Sequence, residues 1–283
     1  MSGIRLLCSI LATSMLLIPQ YVNAEESEST PLSLPVEGKY SLEIGRGRTI
    51  ATYLSPLTYE GSLYGIAGRW EKALPFDPRH ALMSFEGGIT YSDMLNPAKT
   101  ASMAGPKADF SFGLSYRKHI WQNIQLTTGG YYGVEGGGLF LLRNSNNIAQ
   151  ALLSTGIGGE VSLSRTFRIG RLPILLSERI RLPLAGAFFC QQYGESYYEI
   201  YLGDHSGLAH FAWPGNYVGI SNNLSVTLDF GHTSMEIGYN FRMQNQEANH
   251  LVVREWQHAF TIGIIPGGIG LKRARRNSIS PLY

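Results

Sequence analysis

Phe110-Ser111-Phe112-Gly113-Leu114-Ser115-Tyr116-Arg117 alternates large apolar residues with small or polar ones at every step. Successive side chains of a strand point to opposite faces, so a period of two marks a strand with one apolar and one polar side. The same alternation recurs down most of the chain. It predicts ten strands, at 36–54, 62–74, 80–93, 107–120, 123–137, 149–169, 172–189, 217–230, 232–244 and 250–265, with twelve as the alternative count. The joints after strands two, four, six and eight are short and rich in breakers, at 75–79, 121–122, 170–171 and Gly231. The others are longer, at 94–106, 138–148, 190–216 and 245–249. Strands joined alternately by tight turns and longer loops read as an all-β, up-and-down antiparallel transmembrane β-barrel over 36–266. The turns belong in the periplasm and the loops outside the cell.

The two faces of these strands differ in the way a bilayer requires. Tyr64, Ile66 and Trp70, Met83, Phe85, Ile89 and Tyr91, Tyr132 and Val134, Val226 and Leu228, and Met235 and Ile237 share one side. Arg69, Glu71, Glu86, Asp109, Arg117, Glu135, Glu160, Arg179, Arg181, Asp229, Glu236 and Arg242 share the other, with Gly, Ser and Thr between them. A basic residue near the midplane of the lipid face costs about 2–4 kcal/mol, so the charged side is assigned to the lumen. Small barrels fill their interiors with side chains, and mixed acids and bases do so without isolated charges, which predicts a plugged lumen. Arg46 and Arg48 are candidates to join the lumenal arginines along a narrow anionic path. Tyr40, Trp70, Tyr116 and Trp121 fall near one end of the strands, and Tyr91, Phe110 and Tyr132 near the other, as aromatic girdles would. Glu178 breaks the pattern, landing on the apolar side between Leu176 and Ile180. Pro173 and Pro183 interrupt the same strand, so a bulge is expected to reset its parity.

The first 24 residues read as a secretory signal, with Arg5, an apolar stretch from Leu6 to Ile18, and a small-residue cleavage site ending at Ala24. That stretch is shorter than the ~20 residues a spanning helix needs, and no later segment supplies one. Residues 25–35 read as a disordered periplasmic leader, and 267–283, with its basic run at 272–276, as a polar basic tail extending into the periplasm. Cutting after Ala24 removes Cys8 and leaves Cys190 alone, so no intramolecular disulfide forms. It leaves 22 basic against 21 acidic residues, which offers nothing to nucleic acid. Charged residues make up 16% of the chain against a usual ~25%, and glycine reaches 33 residues, both favouring a lipid-facing sheet.

Over Thr52–Leu57 with Tyr59 and Gly61, over Tyr193–Ile200, and over Leu202–Phe211, the chain resembles an uncharacterised Bacteroidetes envelope family, Domain of Unknown Function 3316. The turn Gly170–Pro173 and the segment Leu184–Phe188 are similar to it as well. The resemblance implies a secreted outer-membrane barrel and brings no catalytic residue, substrate or cofactor.

One loop contains reactive residue types. Asp204, His205, Ser206 and His210 are the set from which an acyl-transfer site is built, with histidine taking the serine proton. Adjacent residues of an extended chain point apart, which makes His210 a better base for Ser206 than His205. The alternative function is therefore a membrane-embedded lipid-modifying hydrolase using Ser206. Asp204, His205 and His210 are too few and too mixed to predict a metal, and no cofactor is expected. The leading expectation is a small plugged barrel, non-enzymatic, acting as anchor, receptor or narrow conduit. Its partners are outer-membrane lipid and an envelope protein or extracellular ligand at loop 190–216. That loop is expected to fold over the mouth with Tyr197, Tyr198, Tyr201, Phe211 and Trp213 packing on the rim. A third reading, a soluble periplasmic β-protein, predicts release by osmotic shock.

Overall fold

The computed structural model describes residues 36–121, 123–144, 147–203, 205–267 and 269. The expected signal sequence, the leader and the basic run at 272–276 lie outside them. Ten long antiparallel strands form a closed barrel: β1 (Val36–Ala51), β2 (Ser55–Ala73), β3 (Ala81–Leu95), β4 (Ser102–Trp121), β5 (Ile124–Phe140), β6 (Ala149–Ile169), β7 (Leu172–Phe189), β9 (Tyr217–Asp229), β10 (Thr233–Ala248) and β11 (Leu251–Pro266). A short helix α1 (Tyr197–Tyr201) and a four-residue strand β8 (Ala209–Ala212) lie between β7 and β9. Closure comes from β1 pairing with β11, from Tyr40 opposite Ile264 to Ala51 opposite Val253. Among the described residues no helix is long and apolar enough to cross a membrane.

Parity puts Tyr40, Leu42, Ile44, Ile66, Phe85, Ile237 and Ile262 on the outside, most of them about half exposed. A sheet in water would bury such residues, so this outer wall is built for hydrocarbon. The turns at one end are tight: Gly170 and Gly231 take φ of 61° and 100°, where a Cβ would be strained. At the same end Trp70 meets Tyr40 edge-on, with ring centroids 5.7 Å apart, and Trp121 is exposed, forming one aromatic girdle.

The predicted contrast between the two ends is only partly correct. At the loop end, β1 and β2 are joined by three residues. Asn249 and His250 alone join β10 to β11, both left-handed at φ 51° and 62°, as a two-residue hairpin requires. The ladders simply run on past the sequence boundaries, leaving 96–101, 141–148 and 190–216 as the longer connections of the loop end, while 74–80 at the turn end spans seven residues. Arg46 and Arg48 also differ from expectation. They share the outer face with Leu42 and Ile44, where Arg48 pairs with Glu60 at 3.1 Å and lies over the Trp256 ring.

β7 carries the expected bulge, but at Leu184, where the β6 register slips between Ile157 and Gly158. It turns Phe188 inward, where it is buried. Because it follows Glu178, that residue stays on the outer face opposite Leu163 and Leu224, and its Oε1 accepts from Asn222 Nδ2 at 2.9 Å.

Candidate functional site: the lumen and its loop-covered mouth

Two glutamates and three arginines form the centre of the lumen. Arg69 reaches Glu86 at 2.7 Å and Glu160 at 3.2 Å, Arg179 reaches Glu86 at 2.6 Å, and Arg181 reaches Glu160 at 2.7 Å. Glu71 adds a third carboxylate to Arg69 at 2.6 Å, and Arg181 also lies over the Tyr131 ring. Neighbouring strands supply these groups because alternate residues of β2, β3, β6 and β7 all point inward. Around this centre, Lys39 pairs with Glu236 at 2.9 Å, Lys107 with Glu135 and Glu255, and Arg242 with Glu43.

Two residues assigned from sequence to this network bond turns instead, while Asp109 does face the lumen. Arg117 donates to the carbonyls of Arg79 and Pro78, bracing the β2–β3 turn. Asp229 accepts from Gly231 N at 2.7 Å and from the Ser234 hydroxyl, which shapes the β9–β10 turn. Asp109 faces a cavity beside Glu135, its direct cross-strand neighbour. Lys39, Glu43, Lys107 and Glu255 belong to the lumen and are absent from the sequence assignment. At the turn end, Ile269 folds back under the barrel onto Leu175 and Ile265, its N–H donating to Ser234 Oγ. Ile269 is therefore packed, and the tail from 270 onward lies outside the described residues.

The loop end is closed by apolar residues. Met94, Met103, Leu139, Leu152, Phe188 and Val253 fill the lumen beneath Tyr53, Leu54, Leu141 and Cys190 from the loops and Leu251 at the start of β11. Hydrogen bonds tie the cover together. Tyr53 donates to Glu195 O at 2.8 Å, Asn144 Nδ2 to Leu54 O, and Asn249 Nδ2 to Gln191 O and Gly207 O. Burial pushes the Cys190 thiol up to about 11 and the Tyr53 hydroxyl up to about 12. Helix α1 is capped by Ser196 and Glu199, each accepting from the other's backbone N–H.

Of the aromatic residues expected to pack on the rim, only Tyr197 does so, accepting from Ala151 N and meeting the Tyr53 ring edge-on. Tyr198, Tyr201, Phe211 and Trp213 point outward, as do Tyr193 and Leu202. Among the described residues the proposed acyl-transfer set is not assembled. His210 turns toward the lumen onto the Phe188 ring, with Nε2 near Cys190 O and Asn249 Nδ2, while Gln192 Nε2 donates to the Ser206 carbonyl and hydroxyl. Neither His205 nor His210 hydrogen-bonds Ser206, and Asp204 lies outside the described residues. β8 pairs His210 with Phe188, which sets its ring inward and away from Ser206. Among the described residues no three His, Cys, Asp or Glu side chains are grouped to hold a metal.

Residues 6–273 match the family model described as "Protein of unknown function (DUF3316)". The chain belongs to this family. It is a small β-barrel of the outer-membrane type. Among solved structures it is similar to the outer membrane protease OmpT of Escherichia coli, at 9% identity, 85% of this chain and 99% of that one, and a TM-score of 0.43. It is likewise similar to the transport unit of the Escherichia coli autotransporter AIDA-I, at 8% identity, 93% and 97% coverage and a TM-score of 0.45. Neisserial surface protein A follows at 9% identity, 81% and 96% coverage and a TM-score of 0.33. No curated protein matches the chain.

Proposed function

We propose that this DUF3316 protein is a surface receptor, inserted in the outer membrane of a Gram-negative bacterium after cleavage following Ala24. It binds an envelope protein or extracellular ligand through loop 190–216. The observation that carries this reading is an ordered loop with aromatic side chains turned away from the barrel. Capping, the Tyr53–Glu195 bond and the Asn249 bonds hold the loop backbone in place, yet Tyr193, Tyr198 and Tyr201 remain 77%, 67% and 84% exposed. A loop with no partner gains nothing from presenting tyrosines to water, whereas rigid tyrosines give contact area at low entropic cost. The bases of the lumen are all paired with its acids, which favours a fixed support for the loop over a conducting path.

The test is chemical cross-linking on intact cells, comparing wild type with a Tyr193→Ser, Tyr198→Ser, Tyr201→Ser variant. Heat-modifiable migration on gels reports that both are folded. The wild type forms a discrete cross-linked species that the variant loses at least tenfold. An equal yield from the folded variant would overturn the receptor reading.

A further inference from the structure

The barrel wall has one seam that the ladders do not close. β7 pairs with β9 from Ile174 opposite Leu228 to Arg181 opposite Ser221, and there the pairing stops. From Gly186 opposite Ala212 onward, β7 pairs with β8 instead. Between these points Leu182–Ala185 on one side and Trp213–Ile220 on the other have no ladder partner across the seam. The sequence explains why. Pro183 has no N–H to donate, and Leu184 is the bulge. On the facing side the turn at 213–216 uses its own polar groups: Asn216 N and Tyr217 N donate to Trp213 O, and the Asn216 side chain bonds Trp213 N and Phe211 O. What closes the seam is a proline ring laid on a glycine. A Cβ added to Gly219 would stand 2.9 Å from Pro183 Cγ.

Backbone without ladder bonds is tolerated at membrane depth only where it lines a cavity or is covered by protein. Here a cavity of about 210 Å³ lies behind the seam, with Pro183, Leu184, Trp213 and Ile220 in its lining and Lys107, Asp109, Glu135 and Arg242 on its lumenal side. Outside, the seam is rimmed by exposed Ile157, Leu182, Leu184, Val218, Phe211 and Trp213, an apolar border continuous with the hydrocarbon-facing wall. The apolar cover lies over the mouth, and Leu175, Ile265 and Ile269 pack together at the turn end. We propose that the β7–β9 seam is a lateral portal through which a small uncharged amphiphile passes between the bilayer and the lumenal cavity.

The ligand class follows from the walls. Entry through an apolar rim selects a molecule that already partitions into lipid. The cavity is smaller than the ~300–1,000 Å³ of drug-sized sites, which limits the guest to a ring or two or a short chain. Four carboxylates and four basic side chains line it, so no net field draws a charged head, and hydroxyl-type hydrogen bonding remains. The portal stands apart from the receptor reading, since the loop tyrosines take no part in it.

The experiment uses the full mature chain in lipid nanodiscs with 1-naphthol as probe, followed by stopped-flow fluorescence against empty discs. Pro183→Cys and Gly219→Cys, introduced together with Cys190→Ser, place a reducible bond across the seam. The reduced protein binds saturably, oxidation slows entry at least tenfold, and reductant restores it. Leu182→Trp fills the rim without altering the backbone, and slows entry at least fivefold should the cysteine pair fail to fold. No saturable signal above empty discs in the wild type would eliminate the site. Entry rates unchanged by oxidation, or by Leu182→Trp, would eliminate the portal.

Discussion

Arg69 holds Glu71, Glu86 and Glu160 together in the lumen, each within 3.2 Å. Its removal leaves three enclosed carboxylates with less compensation, and breaking an enclosed pair of this kind costs about 3–5 kcal/mol. Arg69→Ala should therefore lower the urea midpoint of the refolded barrel by that equivalent. Arg48→Ala breaks only the exposed pair with Glu60 and should cost less than about 1 kcal/mol. Two other residues set an alkaline limit. A free thiol titrates near 8.5 and a free tyrosine near ~10, but in the folded mouth Cys190 holds its proton up to about 11 and Tyr53 up to about 12. The folded state thus binds more protons than the unfolded one across this range. The stability these groups contribute is complete below their unfolded values and is lost as pH rises through about 11 and 12. Unfolding midpoints should fall steadily above about pH 9, and maleimide at pH 8 should label Cys190 only after urea is added.

At the level of strands, most of the fold was legible because period-two alternation needs no tertiary information. β6 and β7 begin and end where the alternation does. The lumenal network was legible in part for the same reason. Lys39 and Glu43 alternate with Tyr40, Leu42 and Ile44 and could have been found by parity alone. Lys107 was obscured by Pro106, and Glu255 by the irregular start of its strand. Arg117 and Asp229 were misassigned because both bond backbone groups of turns whose conformation no side-chain pattern encodes. The change of partner along β7 was also hidden, since alternation reports which face a residue takes and not which strand lies beside it. Glu178 offers a test of that strand. Its outward carboxylate is held by Asn222, so Asn222→Leu should cost about 1–3 kcal/mol by leaving it unpaired. Adding Glu178→Leu should bring the urea midpoint back to wild type or above, and a double variant weaker than Asn222→Leu would refute the outward placement.

At the scale of the whole barrel, the described residues place apolar clusters at both ends. Side chains from β3, β4, β5 and β6 fill its loop end, and Ile269 packs on Leu175 and Ile265 at the other. Purified protein in planar bilayers should show no discrete conductance steps at low voltage. Steady single-channel openings would mean that the cover over the mouth is mobile.

The pairing of Tyr40 with Ile264 joins the first strand made to the last. A growing chain cannot complete the circle until its final hairpin has been delivered, so every earlier stage carries two raw hydrogen-bonding edges. Until residue 264 arrives, the free side of β1 is open to pairing with another chain, so slow closure favours edge-to-edge association over the finished barrel.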